Sequence, residues 1–338
     1  MPKIVLLLPV LLILSIIAAT SIGSVPISFL GIVRIFLHNW GLVDGLDVTQ
    51  GEEAIIFLIR LPRVLVAVLV GAALGLCGAV MQGMFRNPMA EPGVIGISSG
   101  ASLGAVIAIS LGLVSKNLYY LPFAAAMGAL AAALLVFFLA TRGGKIPTLT
   151  LILSGIAVST FIGAFTSLIL SFSYEYQLKQ FLFWTMGGLD DRRWEHVDLV
   201  FWPILIGMAI LLFFSQELNI LLLGEEEAQS LGINPAKVRT RLLFLASLTT
   251  ALAVAVSGTI GFVGLIVPHI MRLLVGPDHR VLLPASALGG SVFLVCCDLI
   301  ARTAFPLGEI RVGIVTALIG APYFLYLLSK AKKEGEAI

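Results

Sequence analysis

Charge is what this sequence has least of. Asp, Glu, Lys and Arg make up 12% of its 338 residues, where a soluble domain carries about 25%. A water-exposed fold so poor in charge could not cover its own surface. Cysteine is also scarce: Cys77, Cys296 and Cys297 all fall in apolar stretches and form no CxxC pair, so neither a disulfide framework nor a zinc site is implied. His38, His196, His269 and His279 are scattered, which leaves a metal centre without ligands. No phosphate-binding GxxxxGK[ST] loop is present, because Gly143-Gly144-Lys145 lacks the upstream glycine and the following Ser or Thr. A nucleophile elbow, HExxH and paired carboxylates are missing as well. An enzyme reading therefore has little support, and no residue is assigned a catalytic or metal-binding role. A net charge of +2 gives no nucleic-acid footprint.

What is abundant is apolar sequence: 59% of residues are hydrophobic. Runs of such residues cover approximately 4–33, 64–84, 94–114, 119–140, 148–171, 199–214, 242–257, 260–275, 281–301 and 312–329. A helix of about 20 apolar residues crosses a bilayer core of about 30 Å. The chain thus reads as one all-α polytopic membrane domain, residues 1–338, with ten transmembrane helices. Lys3 followed by an apolar run ending near Ala18-Ala19 has a secretory-signal look. The run continues past Ile22, which favours an uncleaved helix.

An even number of spans puts both termini on one side, and the tail lysines Lys330, Lys332 and Lys333 make that side cytoplasmic. Twelve of the 21 basic residues then fall inside, Arg86, Arg142 and Lys145 among them, and nine outside. The bias is blunted by arginines at the outer ends of spans. The spans themselves are nearly bare of charge. Asp298 is the clear exception, with Arg302 four residues on as a helical ion-pair partner; His269 and Arg272 lie towards an inner end. An ion-coupled carrier needs midplane acids, each costing roughly 2.5–3.5 kcal/mol to insert, and these are not found. Small residues at Gly71 and Gly75 and at Gly96, Gly100 and Gly104 are spaced for close helix packing. Outside, residues 172–198 read as a short interfacial helix whose Phe181, Phe183, Trp184 and Trp194 suit the headgroup level, either as an anchor or as a lid.

The longest polar interruption of the second half is 217–241, ELNILLLGEEEAQSLGINPAKVRTR. Gly224 separates an apolar piece from an acidic turn, where Glu225, Glu226 and Glu227 suit a helix N-terminus. Gly232 is placed to end that helix in the left-handed conformation, with Ile233 as its apolar contact. Asn234 caps the next helix and Pro235 takes its first position. Two short helices between long apolar segments read either as a solvated loop or as a docking platform for a soluble partner. Their punctuation favours the platform. With no ion relay and no nucleotide site in the spans, a partner there would supply the driving force.

Four stretches resemble one family. Residues 60–63, RLPR, with the following VLVAVLVGAALGLCGAVMQGMFRNPMAEPGVIGISSGAS, LNILLLGEEEAQSLGI, GTIGFVGLIVPHIMRLLVGPDHR and GEIRVGIVTALIGAPYFLYLL occur in the order seen in FecCD-type permeases. These are membrane subunits of ABC importers for iron–siderophore chelates, haem and vitamin B12. The resemblance covers nearly the whole chain from about residue 55. It implies a type II ABC importer permease fold, a homodimer in a prokaryotic cytoplasmic (inner) membrane, and an extracytoplasmic substrate-binding protein. It also implies two cytoplasmic ATPase subunits, which carry the ATP and Mg that this chain does not. It further implies coupling helices at about 217–233, contacting the ATPase through Leu218, Leu222, Gly224, Glu225, Glu226, Glu227, Ala228, Leu231 and Gly232. Arg60, Arg63 and Arg302 would meet glutamates of the binding protein. An inner gate would form from Asn87 and Met89 with Thr148 and Leu149. Arg311 stands where the family commonly has proline. Iron chelate or haem is the first expectation for cargo, and cobalamin the alternative.

Overall fold

The computed structural model describes residues 3–23, 25–39, 49–141, 147–305 and 308–334. It is all helical among those residues. The helices are α1 (Lys3–Ser21), α2 (Phe29–Asn39), α3 (Gln50–Ala54), α4 (Leu61–Phe85), α5 (Ile97–Ser110), α6 (Tyr120–Ala140), α7 (Thr148–Ser171) and α8 (Glu175–Thr185). They continue with α9 (Trp194–Phe213), α10 (Ser215–Leu223), α11 (Glu225–Ser230), α12 (Pro235–Ser257), α13 (Val263–Val275), α14 (His279–Thr303) and α15 (Val312–Glu334). A π-helical turn, Ile55–Arg60, fuses α3 to α4 into 36 continuous helical residues.

Among the described residues, six helices are long and apolar enough to cross a membrane by length and composition: Gln50–Phe85, Tyr120–Ala140, Leu149–Ser171, Trp194–Phe213, Pro235–Ser257 and His279–Thr303. Val5–Ser21, Ile97–Ser110, Val263–Val275 and Val312–Leu327 are shorter apolar helices at the other four expected segments, so ten spans are compatible with the fold. The first segment, however, is not one helix through residue 33. It stops at Ser21, and α2 starts a separate helix at Phe29. Pro26 in the linker has no N–H to continue a helical ladder. The carbonyls left open at the end of α1 are taken by arginines from elsewhere in the chain. Arg142 and Lys145, counted as inside, lie outside the described residues.

The bundle is built around α4, whose residues from Pro62 to Met84 are almost all buried. Such a helix, apolar on every side, belongs to an interior. Alternating chain direction puts α10, α11 and the start of α1 at one end, the platform end. The start of α4, α8 and the end of α14 lie at the other. A side chain at Gly71 would fall on the Gly290 carbonyl, and one at Gly75 on the Ser286 carbonyl, so α4 and α14 touch backbone to backbone. The Ser291 hydroxyl donates across the same seam to the Val68 carbonyl at 2.9 Å. Van der Waals contact of this kind holds helices together where lipid removes the hydrophobic drive. Around the seam lie two apolar cores, one with Leu76, Met81, Val136 and Leu211, the other with Val70, Ile204, Val267 and Leu294.

Overpacking a core costs about 1–3 kcal/mol. Gly71→Ala should therefore lower the thermal midpoint of the purified protein in detergent. Gly163→Ala, where an added Cβ meets nothing within 4 Å, should leave it unchanged or raise it slightly. Equal effects of the two would show that the α4–α14 seam does not set stability.

Candidate functional site

At the platform end the chain does locally what its punctuation dictates. Gly224, at φ +140°, separates α10 from α11. Gly232 at φ +81° ends α11. The Ile233 N–H donates to the Ala228 carbonyl at 3.0 Å and the Gly232 N–H to the Gln229 carbonyl at 2.9 Å, the bond pair of a Schellman motif. The Asn234 side chain accepts from the Lys237 N–H at 3.1 Å and caps α12. Leu218, Leu221 and Ala228 are buried, while Leu222, Leu223 and Leu231 are exposed. Glu225 pairs with Arg239 of α12, and Glu226 and Glu227 remain on the surface.

The platform is bolted to the α4–α14 pair from two sides. Arg86, the left-handed C-cap of α4 at φ +50°, donates Nε to the Leu221 carbonyl at 3.0 Å. On the other side, Asn219 donates Nδ2 to Asp278 Oδ1 at 2.7 Å, and its Oδ1 accepts from the His279 N–H at 2.8 Å. His279 Nδ1 also lies 2.9 Å from that oxygen. Asp278 in turn caps α14 by accepting from the Arg280 N–H at 3.0 Å. Hydrogen bonds from Asn219 and from Arg280 hold the Asp278 carboxyl down at about 2, so it stays anionic at physiological pH. Sequence reasoning missed Arg86, Asn219, Asp278 and His279 as a unit. Their only sequence signals were the Asp278 cap position and a polar residue inside an apolar piece.

Loop 86–96 stands beside the platform. Asn87 Oδ1 accepts from the Met89 N–H at 2.8 Å. Asn87 and Met89 line a cavity of about 60 Å³ with Leu151 of α7, which brings them near the start of α7, where Thr148 and Leu149 lie. Leu149 is exposed. Burial raises the pKa of Glu91 in the same loop. A larger cavity, about 370 Å³, runs between the end of α4, α10 and α13 and is lined by Gln82, Arg86, Asn87, Leu222, Arg272 and His279.

At the opposite end the three arginines expected to meet a partner are committed to their own chain. Arg60, 4% exposed, donates Nη1 to the Thr20 and Ser21 carbonyls at 2.7 and 3.0 Å and Nη2 to the Val25 carbonyl. Arg302 donates to the Ala19 carbonyl. Together they satisfy the carbonyls that end α1. Arg63 binds Asp298 at 2.9 Å and Glu309 at 2.6 Å. The helical pair Asp298–Arg302 exists at 3.8 Å, but Arg63 is the closer partner of Asp298, which is 1% exposed. Arg311 pairs with Asp190 and lies 4.8 Å over the Phe183 ring. These contacts fasten the start of α15 to α8 and to the segment after it. Residues after α8 are held further by Gly188 N–H to the Ser257 carbonyl at 2.8 Å and Gly313 N–H to the Gly187 carbonyl at 3.1 Å. Helix α8 differs from a headgroup anchor in one respect. Phe181 and Trp184 are buried in the bundle, because Gln177 ties α8 to the end of α5 through the Ile109 and Ser110 carbonyls, both at 3.2 Å. Trp194 likewise turns inward, donating Nε1 to the Phe57 carbonyl at 2.7 Å.

The described residues form an apolar helical bundle with buried arginines at one end and a short-helix platform at the other. Residues 11–330 match the model of the FecCD transport family. The cobalamin import permease of Halobacterium salinarum is 50% identical over 281 residues, covering 83% of this chain and 75% of that one. The hemin transport permease of Yersinia pestis is 44% identical, covering 82% and 83%. A solved structure described as an inward-facing metal-chelate type ABC transporter superposes with a TM-score of 0.85 at 36% identity, covering 98% of this chain and all of that one. The chain belongs to the FecCD transport family and is a permease subunit of an ABC importer.

Removing one member of a buried ion pair costs about 3–5 kcal/mol because it strands the other charge. Asp298→Asn should show a loss of that size in thermal unfolding, and adding Arg63→Met to it should recover more than half. A loss under about 1 kcal/mol, as for exposed pairs, would show that the clasp is not a buried one.

Proposed function

We propose that two copies of this chain form the membrane pathway of an ATP-driven importer in a prokaryotic cytoplasmic membrane. An extracytoplasmic binding protein delivers a metal chelate at the end carrying Arg63. Two ATPase subunits grip α10 and α11 at the cytoplasmic end, where both termini also lie. The observation that carries the reading is the double bolt of α10 to α4 and α14. A movement imposed on the platform has a hydrogen-bonded and close-packed route to the opposite end. Nothing comparable supports ion coupling, because the buried acid in the spans, Asp298, is held between two arginines.

Cargo of the metal-chelate class, an iron chelate or haem with cobalamin as the alternative, is supported by the relatives' cobalamin and hemin systems. Of the three arginines expected to dock the binding protein, Arg63 has a half-exposed partner, Glu309. That is the point at which an incoming carboxylate can exchange for an internal one. Arg60 and Arg302 serve docking by holding α1 in place beside it. Asn87, Met89, Thr148 and Leu149 are proposed as the inner gate, adjoining the platform that would move them.

In liposomes holding this chain with its ATPase, uptake should require ATP and the loaded binding protein. Replacing Glu225, Glu226 and Glu227 together with alanine should cut ATPase co-purification and uptake about tenfold. Asn219→Leu should leave the ATPase bound and hydrolysing while uptake falls by a similar factor. Uphill uptake by this chain alone on a proton or sodium gradient would overturn the reading. The absorption spectrum of ligand carried by the cognate binding protein separates haem, corrinoid and ferric siderophore.

A further inference from the structure

Between α12 and α13 the chain is non-helical well inside the bundle. Gly258 ends α12 with φ +67° beside the Trp184 carbonyl, at the end where α8 sits. Helix α13 begins at Val263, and Gly264 packs against Leu74 and Gly78 of α4. At 1.5 Å per helical residue, Leu74 stands about 20 Å from Leu61 and about 17 Å from Phe85, close to the middle of α4. Thr259 to Phe262 therefore runs from one end of the bundle to mid-depth. Phe262 closes the run at φ +68°, a costly conformation for a bulky residue. Its ring fills the notch left by Gly320 of α15, where a Cβ would collide with it.

The peptide groups of this run are nearly unpaired, the Phe262 carbonyl alone accepting among the described residues, from the Leu265 and Ile266 N–H groups. No peptide N–H of Thr259, Ile260, Gly261 or Phe262 donates to an acceptor among the described residues, and no carbonyl of Thr259, Ile260 or Gly261 accepts. The Thr259 hydroxyl is spent on the Thr185 carbonyl. Ile260 is buried, but Gly261 is exposed, and a side chain added there meets nothing within 4 Å. Non-helical backbone at membrane depth persists only where protein covers it or water reaches it. Among the described residues, protein supplies no partner for these peptide groups.

We infer that Thr259–Phe262 forms part of the wall of the water-filled transport passage, with the peptide groups around Gly261 presented at mid-depth to a polar, hydrogen-bonding solute. The transport part of this inference rests on the importer reading; the wetness of the segment does not. A wall of bare peptide groups beside a residue without a side chain admits large cargo and solvates its polar rim without a fixed charge.

The test uses Gly261→Cys in a chain whose Cys77, Cys296 and Cys297 are alanine, assembled with its ATPase and binding protein in liposomes. The probe is a charged, membrane-impermeant methanethiosulfonate. Ile206→Cys, on an exposed face of α9, is the lipid-facing control. Gly261→Cys should react at least ten times faster than Ile206→Cys, saturating cargo should slow it, and the modification should block uptake. Reducing the modified Gly261→Cys protein, which removes the disulfide-linked adduct, should restore uptake, and this separates a blocked passage from a misfolded chain. A rate no higher than the control, or a spontaneous disulfide between two copies at 261, would overturn the inference. If Gly261→Cys reacts as expected but uptake ignores ATP, only the importer reading falls.

Discussion

Everything in this molecule leans on the contact between α4 and α14. Their backbones meet at Gly71 and Gly290, and again at Gly75 and Ser286, with no side chain between them. In a membrane, where lipid is as apolar as leucine, such contact and a few polar pairs are what keep helices together. The polar pairs sit at the two ends of this seam. Arg63 and Asp298 clasp one end, and Arg86 with Asn219, Asp278 and His279 lock the platform to the other. Two helices joined along their length and fixed at both ends respond to force as one body.

The ends also solve an electrostatic problem. A guanidinium buried in a bundle needs hydrogen-bond or charge partners. Arg60 donates to carbonyls that the break after Ser21 leaves open, Arg302 donates to the Ala19 carbonyl and lies 3.8 Å from Asp298, and Arg63 fills its own donors with carboxylates. The same bonds that satisfy the arginines therefore place α1 against the bundle and fix the height of α14 against α4. Removing α1 would strand two cations, just as removing the arginines would strand the end of α1.

What the sequence made legible follows from range. Caps, the Schellman turn at Gly232, the short platform helices and the apolar spans depend on neighbours within a few residues, and all can be read along the chain. The glycine spacing of α4 announced close packing, though not against which helix. What stayed hidden was long-range. Arg63 finds Asp298 across 235 residues of sequence, Arg302 finds Ala19 across 283, and Asn219 finds Asp278 across 59. Periodicity could place Phe181 and Trp184 on a short helix, but only the tether of Gln177 to α5 turns them inward. The arginines at span ends were visible as an anomaly in the charge bias. Their role as fillers of open carbonyls was not: Pro26 marks the break that opens those carbonyls, but nothing local says that Arg60 and Arg302, 40 and 283 residues from their acceptors, fill them.

The distribution of polarity bears on how such a pathway can be driven. Charged groups gather at the two ends, where Arg63 with Asp298 and Glu309 and Glu225 with Arg239 form pairs, while the mid-depth interruption at Thr259–Phe262 exposes peptide groups instead. Peptide groups do not titrate between pH 4 and pH 10, so a passage wall made of them cannot pass protons stepwise or change affinity with a proton gradient. Asp298 cannot serve either, since neutralising it would strand Arg63 and Arg302 together. In the importer proposed above, directionality comes from outside the spans, through what grips the platform and what meets the opposite end. In that sense the scarcity of charge bears on the proposed mechanism: among the described residues the buried acid of the spans, Asp298, is already committed to Arg63 and Arg302, which favours movement imposed from the ends.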